Sequence, residues 1–201
     1  RGDPDHPSNR GKLCSKGSTL HLTMRAEAMT GRALAPEDLA YIRDGKTFSS
    51  FWREQGEAWA LRILRTLRKR TDIRREGIYF HFVQADSGGV YPPFKNEAST
   101  VDHSLLLAGA MPAAVYFGGE TAQLVDQIAK ESNWRAFISP DDGFLSMGWW
   151  PADNKSVDGP GELIPRTWNT ASDEERIIYF LAAGGENHEF ALPPQDYFRL
   201  N

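Results

Sequence analysis

The spacing of apolar residues predicts a long helix between Ser49 and about Arg70. The stripe recurs at three- and four-residue intervals and consists of Trp52, Gly56, Trp59, Ile63 and Leu67, and arginines occupy the other face. A stripe of this kind is typical of a helix that buries one face and exposes the other. We therefore expect both tryptophans to lie in the core.

A second helix is predicted to start at Ser99 or Thr100. Ser99 followed by Asp102 three residues later resembles a capping box, with the short acid in place of the usual glutamate. Beyond Ser104 the residues are apolar on every side, which predicts burial on all faces. Pro112 lacks a backbone donor and is expected to kink or break this helix.

Two further helices follow from the same reasoning. Residues 121–132 repeat apolar positions at helical spacing. Near the C-terminus, Ser172 and Glu175 form a capping-box pattern, residues 177–183 are apolar, and Gly184 follows as a helix-stop signal.

Between the helices the period changes to that of short strands. Residues 77–83 and 89–91 flank a turn sequence, as do residues 134–139 and 144–150, so two hairpins are predicted. Residues 151–167 are rich in glycine and proline and are expected to form a long loop. The order of helices and hairpins favours a mainly α fold, a solenoid or toroid with short β-hairpins on one rim, and excludes a doubly wound sheet.

The first 30 residues lack clear periodicity and are expected to form an extended segment, and a short helix is predicted after Pro36.

The 201 residues carry a net charge of -4, which is no indication of nucleic-acid binding. They contain one cysteine, Cys14, which excludes an intramolecular disulfide. No apolar run is long enough to span a membrane. Neither an initiator methionine nor a signal peptide is present, so localisation stays undetermined.

Carboxylates near helix starts are the main candidates for chemistry. Paired acids among tryptophans are typical of glycoside hydrolysis, where one carboxyl protonates the leaving oxygen, the other activates water or attacks, and indoles stack on sugar rings. The acids are Glu97, Asp102, Asp173 and Glu174, and the aromatic residues are Tyr79, Trp149, Trp150 and Trp168.

Each candidate also has a structural explanation. Asp102 is explained by capping, and Asp173 and Glu174 by the preference of helix N-termini for acids. Glu97 precedes the cap by two residues, and no capping rule requires it. Successive side chains of a strand alternate, so Trp149 and Trp150 cannot both face inward. His81, which alternates with two phenylalanines, is either a structural group or a sugar ligand.

From about Leu61 to the C-terminus the chain resembles the glucoamylase-like family, which includes bacterial β-1,2-glucan-degrading enzymes and a domain of cyclic β-1,2-glucan synthases. The matching stretches cover about two thirds of the chain and occur in the family's order. They read RTLRKR, GIYFHFVQADSGG, NEASTVDHSLLLAGA, GFLSMGWWP, SDEERIIYFLAAGG and LPPQDYFRL.

This resemblance implies an (α/α)6 toroid, which is partial here and spans residues 31–201. It implies a β-glucan as the ligand, and the expected linkage is β-1,2. It implies Glu97 as general acid and Asp173 or Glu174 as base or sugar-binding group, without metal or organic cofactor. The implied sugar-binding residues are Tyr79, His81, Asp102, Trp149, Trp150 and Trp168. Relatives are often periplasmic or secreted.

The family's upstream helices, with their A-T-G element, are not found in this chain. A complete toroid therefore does not fit its length, and a non-catalytic carbohydrate-binding domain or an inactive remnant is the alternative function. Exposed helix faces of a partial toroid would also permit a homo-oligomer.

Residues 1–23 resemble a different family, the molybdopterin oxidoreductases, and most closely the assimilatory nitrate reductases. Cys14 matches the last of four cluster-binding cysteines, and the other three are absent. One thiolate cannot hold a four-iron cluster. We interpret residues 1–30 as an appended segment without redox function, and a redox protein is the third and weakest hypothesis.

Overall fold

The computed structural model describes residues 48–84, 87–89, 96–152, 157, 159–170 and 173–200, with side chains from residue 53 onward except that of residue 173. The chain divides into two compact units, residues 1–54 and 55–201. The predicted extended segment 1–30 and the predicted helix after Pro36 lie outside the described residues.

The described residues form a mainly helical fold, as predicted. The α-helices are α1 (Phe48–Lys69), α2 (Thr100–Phe117), α3 (Gly119–Glu131) and α4 (Asp173–Ala183), and Trp134–Phe137 and Pro194–Arg199 are 3-10 helices. The predicted bounds of these α-helices hold to within a few residues. A partial toroid stays a prediction.

Short antiparallel strands lie beside the helices. They are β1 (Arg74–Arg75), β2 (Ile78–Tyr79), β3 (Ala98–Ser99), β4 (Gly148–Pro151) and β5 (Gly161–Leu163). β1 pairs with β2, and β3, β4 and β5 pair in that order. A single bridge between Phe80 and Ala98 connects the two sheets, so the strands follow one another as a continuous surface.

Two of the strand and loop predictions are wrong. Residues 134–137 form a 3-10 helix instead of a strand, although the predicted turn after Ser139 is present. Residues 151–167 are not a plain loop, because β5 lies within them. Strand β2 pairs with β1 through a tight turn at Glu76 and Gly77, with φ of 50° and 79°. The hairpin of residues 77–83 and 89–91 stays a prediction, because residues 90 and 91 lie outside the described part; the backbone N–H of Gln84 donates to the carbonyl of Gly89 at 2.7 Å.

Helix α2 is buried on one side only. His103 and Leu107 are buried, whereas Leu105 is 51% and Val115 88% exposed, so the prediction of burial on all faces is wrong. The reason is that α3 and α4 pack on one side of α2 within the described residues. Pro112 does not end the helix, because it lies on the exposed side, where water can satisfy the freed carbonyl. Self-association through this surface stays a prediction.

In the described part of the chain, no helix has the length and apolar character needed to cross a membrane.

Helix α1 is rotated relative to the prediction. Trp59 is 42% and Ile63 56% exposed, while Leu64 is buried, so the placement of Trp59 in the core is wrong. Two arginines of α1 lie toward α3 and form ion pairs with it: Arg65 contacts Glu120 at 2.5 Å, and Arg68 pairs with Glu131. The Arg65 side chain is still 56% exposed, so this ion pair lies at the surface.

Thr100, the first residue of α2, connects three parts of the domain through its buried hydroxyl. Its Oγ1 accepts a hydrogen bond from the indole N–H of Trp168 at 2.9 Å. The same hydroxyl donates toward the carbonyls of Ser146 and Met147, both 3.0 Å away. The start of α2, the approach to β4 and the segment leading into α4 are therefore held together at one point.

We expect Thr100→Val to lower the free energy of unfolding by about 1–3 kcal/mol, because it leaves buried donor and acceptor groups without partners. Urea denaturation of the wild type and the variant measures this difference. Thr66→Val is the control, since Thr66 is exposed on α1 and its hydroxyl donates to the carbonyl of Arg62 within the same helix. Equal losses in both variants would contradict a special role for Thr100.

Candidate functional site

Ser99 and Asp102 cap α2, as predicted. The Ser99 hydroxyl accepts a hydrogen bond from the backbone N–H of Asp102 at 3.3 Å and donates to the Asp102 Oδ2, 2.5 Å away. The short aspartate thus bonds the hydroxyl of the cap residue. One carboxylate oxygen of Asp102 is occupied in this way, and the other faces His81.

His81 lies between two carboxylates. Its Nδ1 is 3.3 Å from the Oε1 of Glu97, and its Nε2 is 3.7 Å from the Oδ1 of Asp102. The side chains are partly open to solvent, with exposed fractions of 36% for His81, 23% for Glu97 and 36% for Asp102. A ligand can therefore reach the Glu97–His81–Asp102 trio, which combines two predicted sugar-binding residues with the predicted acid.

The chemistry of the trio follows from its proton donors and acceptors. An ionised Glu97 accepts a hydrogen bond from the Nδ1–H of His81, and a protonated Glu97 donates one to the unprotonated Nδ1. The Oδ1 of Asp102, at 3.7 Å from the Nε2, is beyond direct hydrogen-bond distance. Glu97 and His81 can therefore form one hydrogen bond, with either group as the donor.

Asn96 holds the strand segment that carries His81. It is completely buried, and its side-chain amide donates to the carbonyl of Phe82 at 2.8 Å and accepts from the backbone N–H of Phe82 at 3.0 Å. Next to this pair, the backbone N–H of His81 donates to the carbonyl of Glu97 at 2.9 Å. Asn96 was not predicted as a site residue from the sequence. Its position directly before Glu97 is the feature that could have indicated it.

The strand register places Trp150 beside Glu97. Ala98 pairs with Trp149 and Ser99 with Gly148, so the same antiparallel register sets Trp150 opposite Glu97. Cross-strand partners lie on the same face of a sheet, and successive residues on opposite faces. Trp150, which is partly buried, is therefore the one of the two tryptophans on the face of Glu97 and His81.

Trp149 lies on the opposite face. The Arg75 guanidinium is 4.7 Å from its ring centroid, and a Cβ added to Gly161 would be 2.1 Å from the ring. The indole lines a cavity of about 260 Å³ together with Arg75, Phe137 and Leu163. The structure therefore does not bring Trp149 to the trio.

Trp168 and Tyr79 both make buried contacts. Trp168 bonds Thr100, as described above. The Tyr79 hydroxyl donates to the carbonyl of Leu67 at 3.2 Å, and its ring stacks on that of His103 with the centroids 5.6 Å apart. Burial raises the pKa of Tyr79. These contacts stabilise the domain beside the trio, and sugar binding by either residue stays a prediction.

The structure does not bring Glu174 of α4 into contact with the trio. The helix begins at Asp173, whose side chain is not described, and Glu174 is exposed. In the described part of the chain, no hydrogen bond or ion pair joins Glu174 to Glu97, His81 or Asp102. The predicted cap residue Ser172 lies outside the described residues, while Glu175 is buried and accepts a hydrogen bond from Thr170.

Among the residues that the structure describes, no group of three or more histidine, cysteine, aspartate or glutamate side chains could hold a metal ion.

Comparison with solved structures supports a glucoamylase-like fold. The chain is similar to a crystal structure of a Bacteroides caccae protein named as a candidate glucoamylase, with 25% identity and a TM-score of 0.57 over 80% of this chain. The fold is therefore glucoamylase-like. The chain spans 37% of the length of the B. caccae chain. No curated protein sequence matches the chain.

Residues 1–26 match the family model of the molybdopterin oxidoreductase Fe4S4 domain, which agrees with the resemblance noted for residues 1–23. These residues lie outside the described part. Iron–sulfur clusters of this type need four cysteine thiolates, and this chain supplies one, Cys14. The residues present do not fit a cluster.

His103 is a buried neutral histidine next to the trio. Its Nε2 is 2.7 Å from the Oγ of Ser132, which donates its own proton to the carbonyl of Ile128, so Nε2 must carry the hydrogen. The Nδ1 is buried and has no hydrogen-bond partner among the described residues. Burial lowers the pKa of His103 to about 3, because the imidazolium would lose its hydration.

We expect His103 to make the protein less stable in acid. Its folded pKa, about 3, is below the unfolded value of about 6.5. Below about pH 6.5 the unfolded chain binds a proton that the folded chain does not, so the free energy of unfolding falls as the pH drops toward 3, by up to about 1.4 kcal/mol per pH unit. Denaturation of the wild type at several pH values measures this slope.

His103→Gln should show a shallower slope, whereas the control His188→Gln, at an exposed position, should keep that of the wild type. The NMR resonances of the His103 ring should also stay unchanged between about pH 8 and pH 4.5. A ring that titrates near neutral pH would contradict this expectation.

Proposed function

We propose that the second unit is a glycoside hydrolase-like domain that acts on β-glucan, with Glu97 as the general acid. The observation that carries the proposal is the contact between the Glu97 carboxylate and the His81 Nδ1 at 3.3 Å on a solvent-accessible face of the sheet. A solvent-accessible carboxyl group within hydrogen-bond distance of an imidazole is suited to exchange a proton with a leaving group. The glucoamylase-like fold supports carbohydrate as the substrate class.

In the proposed reaction Glu97 gives its proton to the glycosidic oxygen as the bond from that oxygen to the anomeric carbon breaks. A water molecule then bonds the anomeric carbon and loses a proton to a second carboxylate. The sequence predicts Asp173 or Glu174 as this second carboxylate or as a sugar-binding group. Asp102 accepts a hydrogen bond from the Ser99 hydroxyl and faces His81, and we assign it to orienting His81 and binding sugar hydroxyls.

Trp150 and His81 are the best-placed of the predicted sugar-binding residues, because both lie on the face of Glu97. Trp149, Trp168 and Tyr79 stay predicted sugar contacts, although they are only 6%, 9% and 4% exposed. A flat indole beside the acid suits stacking against the apolar face of a sugar ring.

The β-1,2 linkage rests on the sequence resemblance alone. The name of the B. caccae protein points instead to an α-glucan. Linear β-1,2-glucan, β-1,3-glucan and maltooligosaccharides should therefore be compared as substrates. We expect turnover of the β-1,2-glucan.

Sugar binding without hydrolysis is the second candidate function. It is favoured by the lack of contact between Glu174 and the trio, and by the 37% share of the B. caccae chain that this chain spans. Binding of a β-glucan oligosaccharide by isothermal calorimetry, with no reducing ends released, would support this candidate.

We expect Glu97→Gln to slow hydrolysis of β-1,2-glucan by roughly 10²–10⁴-fold, the usual contribution of a general acid, because the amide cannot supply the proton. Reducing-end assays of the two proteins measure the difference. Glu189→Gln, at an exposed position, is the matched control and should keep the wild-type rate. Equal rates for wild type and Glu97→Gln would remove Glu97 from the mechanism.

A further inference from the structure

We propose that Glu162 of β5 is the second carboxylate of the site, the general base that activates water. This inference rests on the proposed function and adds a residue that neither the sequence nor the comparisons selected. It is carried by the strand register, the exposure of the side chains and the spacing between strands.

The register aligns four side chains across the sheet on one face. His81 is joined to Glu97 through its backbone N–H, the register of β3 and β4 sets Trp150 opposite Glu97, and Trp150 is paired with Glu162. Cross-strand partners share a face, so His81, Glu97, Trp150 and Glu162 follow one another in a row.

The row is more open than the opposite face of the same strands. His81 and Glu162 are exposed and Trp150 is partly exposed, whereas on the other face Phe80, Ala98 and Trp149 are buried. A sugar ring stacked on the Trp150 indole would have one carboxylate on each side. The row therefore combines a binding platform with the two groups that the reaction needs.

The separation of Glu97 and Glu162 fits one mechanism. They stand two strands apart, and neighbouring strands are about 4.7–4.9 Å apart, so their backbones are separated by roughly 9.5 Å. Carboxyl groups of inverting glycosidases are about 6.5–9.5 Å apart, which leaves room for a water molecule, and those of retaining enzymes about 5–5.5 Å. The spacing points to inversion.

Glu162 is also available for this role. No hydrogen bond or ion pair from any described residue engages its carboxylate. Asp102, in contrast, is engaged by the Ser99 hydroxyl, and Glu174 lies on α4, outside the row. An unengaged carboxylate can accept the proton of an attacking water.

In the resulting step, Glu97 protonates the glycosidic oxygen and the bond from that oxygen to the anomeric carbon breaks. The water oxygen bonds the anomeric carbon from the opposite side, and its proton goes to Glu162. Exchange with solvent then removes the proton from Glu162 and restores that of Glu97. From a β-glucan, the new reducing end is the α-anomer.

A structural explanation of Glu162 also exists, because charges on an edge strand prevent pairing with other chains. Kinetics of Glu162→Gln and of Glu189→Gln, at an exposed position outside the row, on β-1,2-glucan distinguish the two explanations. We expect kcat of Glu162→Gln to fall by roughly 10²–10⁴-fold with little change in KM, and Glu189→Gln to keep the wild-type kcat. Added formate should restore part of the rate of Glu162→Ala, since a small carboxylate can replace the missing base.

Proton NMR of the first product formed by the wild type should show the α-anomer. Wild-type turnover with an unchanged rate in Glu162→Gln, or with the β-anomer as first product, would overturn the role of Glu162 and leave Glu97 as the acid. Absence of turnover on every glucan by the wild type would overturn both proposals.

Discussion

The register between β3 and β4 is the constraint on which the candidate site depends. Gly148 lies so close to β3 that an added Cβ would be 2.4 Å from the carbonyl oxygen of Ala98, so only glycine permits this pairing. A slip of one residue would move every side chain of a strand to the other face. A slip of β4 alone would turn Trp150 to the other face and bring Trp149 to the face of Glu97.

The residues that start α2 also build the site. Ser99 caps the helix and occupies one oxygen of Asp102, which leaves the other oxygen to face His81. Thr100, the next residue, connects the helix to β4 and to the segment before α4. The positive end of the helix dipole stabilises a carboxylate in the first turn. Capping and the candidate chemistry therefore use the same short stretch, and the structural explanation of Asp102 does not exclude a functional one.

Helix α2 is apolar on all sides but is covered on one side only by the described residues. The chain spans 37% of the similar B. caccae chain, and α2 exposes large apolar side chains such as Val115 on the side away from α3 and α4. A helix that is apolar all round is normally covered on all sides. The composition of α2 is thus suited to a more extensive helical environment than the described residues provide.

The sequence by itself determined the helices and the cap formed by Ser99 and Asp102, because capping and helical periodicity act between residues three or four positions apart. It also selected Glu97, since no local rule explains an acid there. Only the tertiary structure decided that Trp150 shares the face of Glu97, that Trp59 is exposed, and that Glu162 stands in the same row. These outcomes depend on which strands pair, and in which register, between segments far apart in the chain, which no local pattern encodes.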